Sequence, residues 1–272
     1  KLEEEPKKIA RKDPKDNDKK GGGDKKTENS KSKIKWSIQA STGLSYANQT
    51  LTQKTPSTSL LLEHRKNYES SLETLHFGFS IAAQHKSGLG LSIGLQRSEI
   101  TERYTYQDTR SETNMVDAVV TRRINLSNDT IDIMGELPQV TNIIIDKNIY
   151  NKYTLLDLPV IVSYHYRLNE FWNIGAEAGL LINLSLKTKG IIPDASLQDV
   201  NIDTNQGDVF NSKIGLGYHF GASVGRNIGK KWSLNISPML RIYPKDFAVD
   251  TYELSQKYVL FGGNLGLTYH FN

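Results

Sequence analysis

The chain has no cysteine, only 3 methionines and only 8 prolines in 272 residues. Without cysteine there is no disulfide scaffold, thiolate metal site, iron–sulfur cluster or cysteine nucleophile, and the redox compartment cannot be read. Long hydrophobic runs are also missing. The nearest approach, residues 158–162, falls far below the ~18 apolar residues of a membrane-spanning helix, which excludes a helical membrane protein but not a β-barrel. Net charge is scarce as well. Of the formal +4, residues 1–32 supply +3 through 10 Lys and 1 Arg against 4 Glu and 4 Asp, leaving the remainder nearly neutral. A nucleic-acid partner therefore has no electrostatic basis.

What is present divides the chain at residue 33. Residues 1–32 are rich in Lys, Asp and Gly and have almost no large apolar groups beyond Leu2 and Ile9. Such a segment cannot bury enough surface to offset its ordering entropy, and we expect a disordered periplasmic linker there. Because the sequence starts at Lys1, with neither an initiator Met nor a signal peptide, a further N-terminal piece is expected upstream. From residue 33 to 272 the pattern becomes strict apolar/polar alternation, the period of β-strands. Eight windows carry it: 34–46, 75–83, 89–95, 156–166, 172–186, 214–224, 232–242 and 265–271. Short turns at 86–88, 167–170 and 227–231 alternate with long links at 47–74, 96–155, 187–213 and 243–264. An even number of strands with short turns on one rim and long loops on the other predicts an eight-stranded antiparallel up-and-down transmembrane β-barrel, with both termini at the short-turn, periplasmic rim.

The interleaved face decides the solvent. Of 46 apolar-face positions only Thr42 and Pro238 depart from an apolar side chain, and none is charged. The other face has 38 positions, of which 10 are Gly and only Lys35, Asp157, Glu177 and Arg241 are charged. A water-facing sheet surface would be studded with Lys and Glu, whereas a narrow barrel interior needs small and modestly polar groups. The apolar face is therefore expected to meet lipid, and Asp157, His165, Glu177, His219 and Arg241 to form a polar network in the lumen. Trp36, Trp172, Trp232, Tyr164, Tyr269 and Phe271 fall at strand ends on the short-turn rim, where an aromatic belt belongs. Tyr46, Tyr104, Tyr106, Tyr153 and Tyr243 are expected to form the opposite belt.

Residues 156–164, Leu-Asp-Leu-Pro-Val-Ile-Val-Ser-Tyr, resemble the Leu-Glu-Ile-Pro-Leu-Leu-Leu-Lys-Tyr strand of the PorT-like outer-membrane β-barrel family of Bacteroidota, with Ser163 in place of Lys. Residues 172–179, Trp-Asn-Ile-Gly-Ala-Glu-Ala-Gly, resemble that family's next strand. The resemblance implies a small outer-membrane barrel of the OmpA and OmpX type. It also suggests the barrel end of a dual-membrane-spanning protein of the anti-sigma type. Pro159 interrupts a strand and predicts a lost ladder bond or a bulge.

Candidate chemistry is sparse. Residues 221–225 match the G-x-S-x-G elbow, but the strand pattern continues on both sides, so the strand-to-helix turn that exposes a nucleophile is absent. Interior His76, His165 and His219 fit satisfied lumen groups better than catalysts. Asp199, Asn201, Asp203, Asn205 and Asp208 offer oxygen ligands at close spacing, yet a solvated acidic loop accounts for them without calcium. The expected role is a non-enzymatic membrane anchor or envelope-sensing domain, without cofactor or metal. A small pore and an outer-membrane lipid-modifying enzyme are the alternatives. Partners are outer-membrane lipids, the barrel-assembly machinery and a periplasmic or cell-surface protein, engaged through the long loops.

Overall fold

The computed structural model describes residues 34–124, 128–204 and 209–271, with the side chains of 107–109 excepted. The linker expected over residues 1–32 lies outside them. The strands are β1 (Ile34–Gln53), β2 (Glu69–His85), β3 (Leu89–Ile124), β4 (Thr130–Arg167), β5 (Trp172–Lys189), β8 (Leu216–Ile228), β9 (Trp232–Tyr243) and β10 (Leu254–His270). Two short strands, β6 (Ile191–Pro193) and β7 (Asp199–Asn201), form a separate hairpin, and a helix α1 (Ser59–Tyr68) follows a 3-10 turn after β1. The eight long strands close into a barrel in the order β1-β10-β9-β8-β5-β4-β3-β2, every neighbour antiparallel. Closure leaves no unpaired edge around the wall, which a sheet in hydrocarbon requires.

The alternation sets the orientation of the wall. On β1, Leu44 and Tyr46 are exposed while Ser37 and Ser45 are buried inside. The same alternation, at odd positions, exposes Phe77, Phe79 and Ile81 on β2, Leu89 to Leu95 on β3, and Leu265 and Leu267 on β10. Glycines occupy the crowded interior because neighbouring side chains leave no room. A Cβ added at Gly221 would lie 2.6 Å from Glu177 Oε1, so a larger residue there would push that carboxylate from its place.

Pro159 acts as its chemistry dictates. The β3–β4 ladder runs through Ile93↔Val160 and Gln96↔Asp157 in unchanged register but omits the positions between them, where proline has no N–H to donate. The adjoining β4–β5 ladder carries a bulge just above, between Leu156 and Asp157, which leaves Leu184 unpaired.

The long links extend the strands and build a plug. Residues 96–155, the second long link, whose own alternating stretches suggest a surface hairpin, are mostly strand: β3 and β4 pair from Leu89↔Tyr164 to Ile124↔Thr130, broken beside Pro159 and shifted in register between Val119 and Thr121. Above the barrel they form a two-stranded ribbon. The other three links fold inward over the mouth. Leu61 from α1, Ile192 and Ile202 from the β6–β7 hairpin, and Phe247 and Ala248 from the β9–β10 link pack against strand residues Ala47, Ile100, Tyr153, Leu155, Tyr243, Tyr258 and Leu260. The hydrophobic core of this protein thus lies at one end of the barrel.

Candidate functional site

At the short-turn rim the aromatics expected to form a belt are outward-facing, and some of them meet across the seam. Trp36, Trp172, Trp232, Tyr164 and Phe271 are all exposed, Tyr269 partly so. Phe271 N–H donates to Trp36 O at 2.9 Å, Tyr269 pairs with Trp232, and the rings of Tyr269 and Trp232 meet edge to face at 4.9 Å. Arg226 lies over the Trp172 ring at 5.5 Å and Lys231 over Tyr269 at 5.9 Å, placing cations next to the ring faces. The opposite belt requires correction. Tyr46 faces outward, but Tyr104, Tyr153 and Tyr243 are buried inside the mouth. Their residue parity explains it: on β4 the lipid-facing positions are even and Tyr153 is odd, and the same holds for Tyr243 on β9.

In the lumen Arg241 is the organising charge. Its Nε donates to His219 Nδ1 at 3.4 Å, and one terminal nitrogen donates to His76 Nδ1 at 3.2 Å and to Ser98 Oγ at 3.4 Å. An arginine can only donate, so both histidines accept at Nδ1 and carry their proton on Nε2. His219 Nε2–H then donates to Glu177 Oε1 at 3.2 Å, and His76 Nε2–H donates to Ser45 Oγ. Arg241 thereby reaches Glu177 through a neutral imidazole. Asp157 belongs to an adjacent group, accepting from Asn183 Nδ2 and from Tyr243 O–H, each at 2.7 Å. His165 stands apart, lower in the barrel beside Gly175 and Ser223. Of the five expected lumen residues, then, Glu177, His219 and Arg241 are brought together, Asp157 is next to them, and His165 is separate. Ser45, Ser98, Asn183 and Tyr243 complete the network, all at positions whose inward parity was readable. Ser223 faces the lumen in mid-strand on β8, with strand on either side.

The mouth holds a second buried polar group that the sequence pattern did not signal. Arg65 on α1 grips Glu69 through two bonds of 2.6 and 2.7 Å and donates to Gln256 Oε1 at 3.0 Å. Gln49 donates to both Glu69 and Glu102, and Tyr258 O–H donates to Glu102 at 2.7 Å. Arg65 and Glu102 are fully buried. These groups lie above the apolar band, which on β3 ends at Leu95. Burial, reinforced by the Glu69 carboxylate, pushes the Glu102 carboxyl up to about 8. No group of three or more metal-ligating side chains occurs among the described residues. Asp203 accepts from Gly190 N–H and Asn201 from Asp203 N–H, so both serve loop turns, while Asn205 and Asp208 lie outside the described residues.

The ribbon is the remaining feature. Met115, Val119, Val120, Ile131, Met134, Leu137, Val140 and Ile144 are exposed along it. A two-stranded ribbon with apolar groups on both faces has no core of its own.

No family model matches the chain, and no curated protein matches it either. Solved structures of similar form do exist. Neisserial surface protein A is 9% identical with a TM-score of 0.36, covering 85% of this chain and 96% of its own. The outer membrane protein OprG from Pseudomonas aeruginosa is 9% identical with a TM-score of 0.41, covering 88% and 96%. The outer membrane protease OmpT from Escherichia coli is 10% identical with a TM-score of 0.37, covering 87% and 97%. The described chain is an eight-stranded transmembrane β-barrel, established by its own closed ladder and its outward apolar wall.

Proposed function

We propose that this chain is a non-enzymatic outer-membrane anchor that displays the β3–β4 ribbon for contact with another protein, as an envelope-sensing or signalling domain. Closed barrels with an apolar wall are the spanning solution of bacterial outer membranes, and the short-turn rim, with the linker at residues 1–32, is assigned to the periplasm. The observation that carries the reading is the combination of a hydrogen-bonded lumen and a projecting ribbon. The Arg241 network crosses the lumen, Leu61 of α1 and Phe247 pack in the mouth, and the ribbon is paired out to Ile124↔Thr130. Large apolar side chains held on a rigid scaffold above the rim are where a partner gains contact area. The resemblance of residues 156–164 to the PorT-like family supports a place in an envelope-spanning signalling system of Bacteroidota.

Two measurements test this reading. The purified chain in planar bilayers should carry no steady current; sustained single-channel conductance would replace the anchor with a pore. A photo-cross-linking residue at Met115 should give a discrete adduct on intact cells, and one at the wall position Ile236 should not. Equal adducts at both positions would remove the ribbon from the proposal.

A further inference from the structure

Outward positions immediately above the apolar band are unevenly charged around the barrel. On β1, β2 and β10 they are Asn48, Thr50, Glu73 and a single lysine, Lys257, opposite Thr50. On the β3–β4–β5 panel they are Arg97, Glu99, Lys152, Thr154, Lys187 and Lys189. The register places these groups tightly. Thr154 stands opposite Lys187, and Lys152 stands directly opposite Lys189 on the same outer face. Like charges facing one another across a ladder destabilise it unless an anion lies between them. The single carboxylate here, Glu99, is already engaged by Lys152 at 2.9 Å and by Arg97 at 3.1 Å. Lys187 and Lys189 have no acidic partner within ion-pair distance among the described residues. The panel forms an open hollow of about 370 Å³ lined by Glu99, Tyr150, Lys152, Thr154 and the run Lys187, Thr188, Lys189.

Height selects the ligand. Ser185 pairs with Leu156, the last apolar residue of the β4 wall, and Lys187 is two residues, or roughly 7 Å of strand, beyond it. A lysine stem can lie along that wall and hold its ammonium at the headgroup level. We propose that the Lys152–Lys187–Lys189 hollow binds the phosphorylated headgroup of a glycolipid in the outer leaflet. The phosphates sit between the three ammonium groups, the sugar hydroxyls meet Thr154 and Tyr150, and the acyl chains lie on Leu156 and Leu184. Which leaflet this is rests on the orientation proposed above; the binding chemistry does not.

The full chain in detergent is titrated with diphosphoryl lipid A, with lipid A stripped of phosphate, and with inorganic phosphate, counting bound adducts by native mass spectrometry. The expected result is retention of diphosphoryl lipid A alone. Replacing Lys152, Lys187 and Lys189 together with Gln should weaken it by about 100-fold, at roughly fivefold per lysine. Lys86→Gln with Lys230→Gln, on the other rim, should leave it unchanged. Folding of each variant is read from its heat-modifiable gel migration, and Lys187→Gln alone serves if the triple variant fails to fold. Equal retention of the stripped lipid, equal occupancy by inorganic phosphate, or no loss in the variants would overturn the site. Orientation is read separately, by labelling Lys189→Cys on intact cells with an impermeant maleimide. Absence of labelling together with retained lipid binding would overturn the leaflet but not the site.

Discussion

Arg241 and Glu177 never touch, yet one histidine links them: Arg241 Nε donates to His219 Nδ1 at 3.4 Å, and His219 donates to Glu177 at 3.2 Å. The buried cation is balanced through a neutral ring whose tautomer the arginine itself dictates. The interior behaves as one hydrogen-bonded unit.

That unit predicts the cost of breaking it. Arg241→Met leaves His76 Nδ1 and His219 Nδ1 without a guanidinium donor and Glu177 without its distant counter-charge. Removing one member of a buried charge group costs ~3–5 kcal/mol. Urea unfolding in lipid vesicles, followed by gel migration, should show the midpoint fall accordingly; an unchanged midpoint would mean that the network contributes little.

The wall gives a depth-dependent expectation. Ile236 is exposed midway along β9, between Trp232 and Leu240. Ile236→Arg should cost ~2–4 kcal/mol in a bilayer, the range for a cation at the midplane of a barrel wall. The same substitution at Asn48, above the band, should cost under ~1 kcal/mol. Equal costs at both positions would contradict a lipid-facing wall.

The mouth predicts a pH response. The Glu102 carboxyl is shifted from 4.5 up to about 8, so across that interval the folded state keeps a proton that the unfolded chain has released. Stability therefore falls as pH rises through this window and levels off above it. Protease resistance of the α1 plug should be greater at pH 5 than at pH 9. Glu102→Gln should flatten the profile, and a wild-type profile that rises with pH would reverse the assignment.

The ribbon should be dispensable for folding. Replacing residues 107–146 with an Asn-Gly turn leaves Tyr106↔Lys147 as the last pair, and Asn-Gly suits a two-residue hairpin. The shortened chain should fold with a stability within ~1 kcal/mol of the parent, because exposed segments far from the core contribute little. Loss of heat-modifiable migration would make the ribbon part of the folding unit.

The barrel was readable because period-two alternation is strict wherever one face meets lipid. All eight alternating windows fall on the eight barrel strands, with only their ends, such as Ile214 and Phe271, outside the ladders. The parity of Asp157, Glu177, His219 and Arg241 placed them inside, but which would touch depended on inter-strand register, which no local pattern encodes. The helix α1 was not anticipated. Its ten residues have no side-chain N-cap bond, and besides the local Arg65–Glu69 pair it is held by Arg65 reaching Gln256 and by Leu61 entering the mouth, both long-range consequences of closure. The buried Tyr153 and Tyr243 show a signal that was available: counting residues from the lipid-facing positions assigns them inward, against the general tendency of tyrosine to mark an interface.

The seam between β1 and β10 sets the order of assembly. Ser37 is matched to His270 and Gln53 to Leu254, so one edge of β1, whose other edge pairs with β2, stays open until the last strand is in place. With loop-closure entropy this large, the join forms late and slowly. Until then the outer edges of β1 and β10 present unpaired N–H and C=O groups, a template for pairing with any other strand.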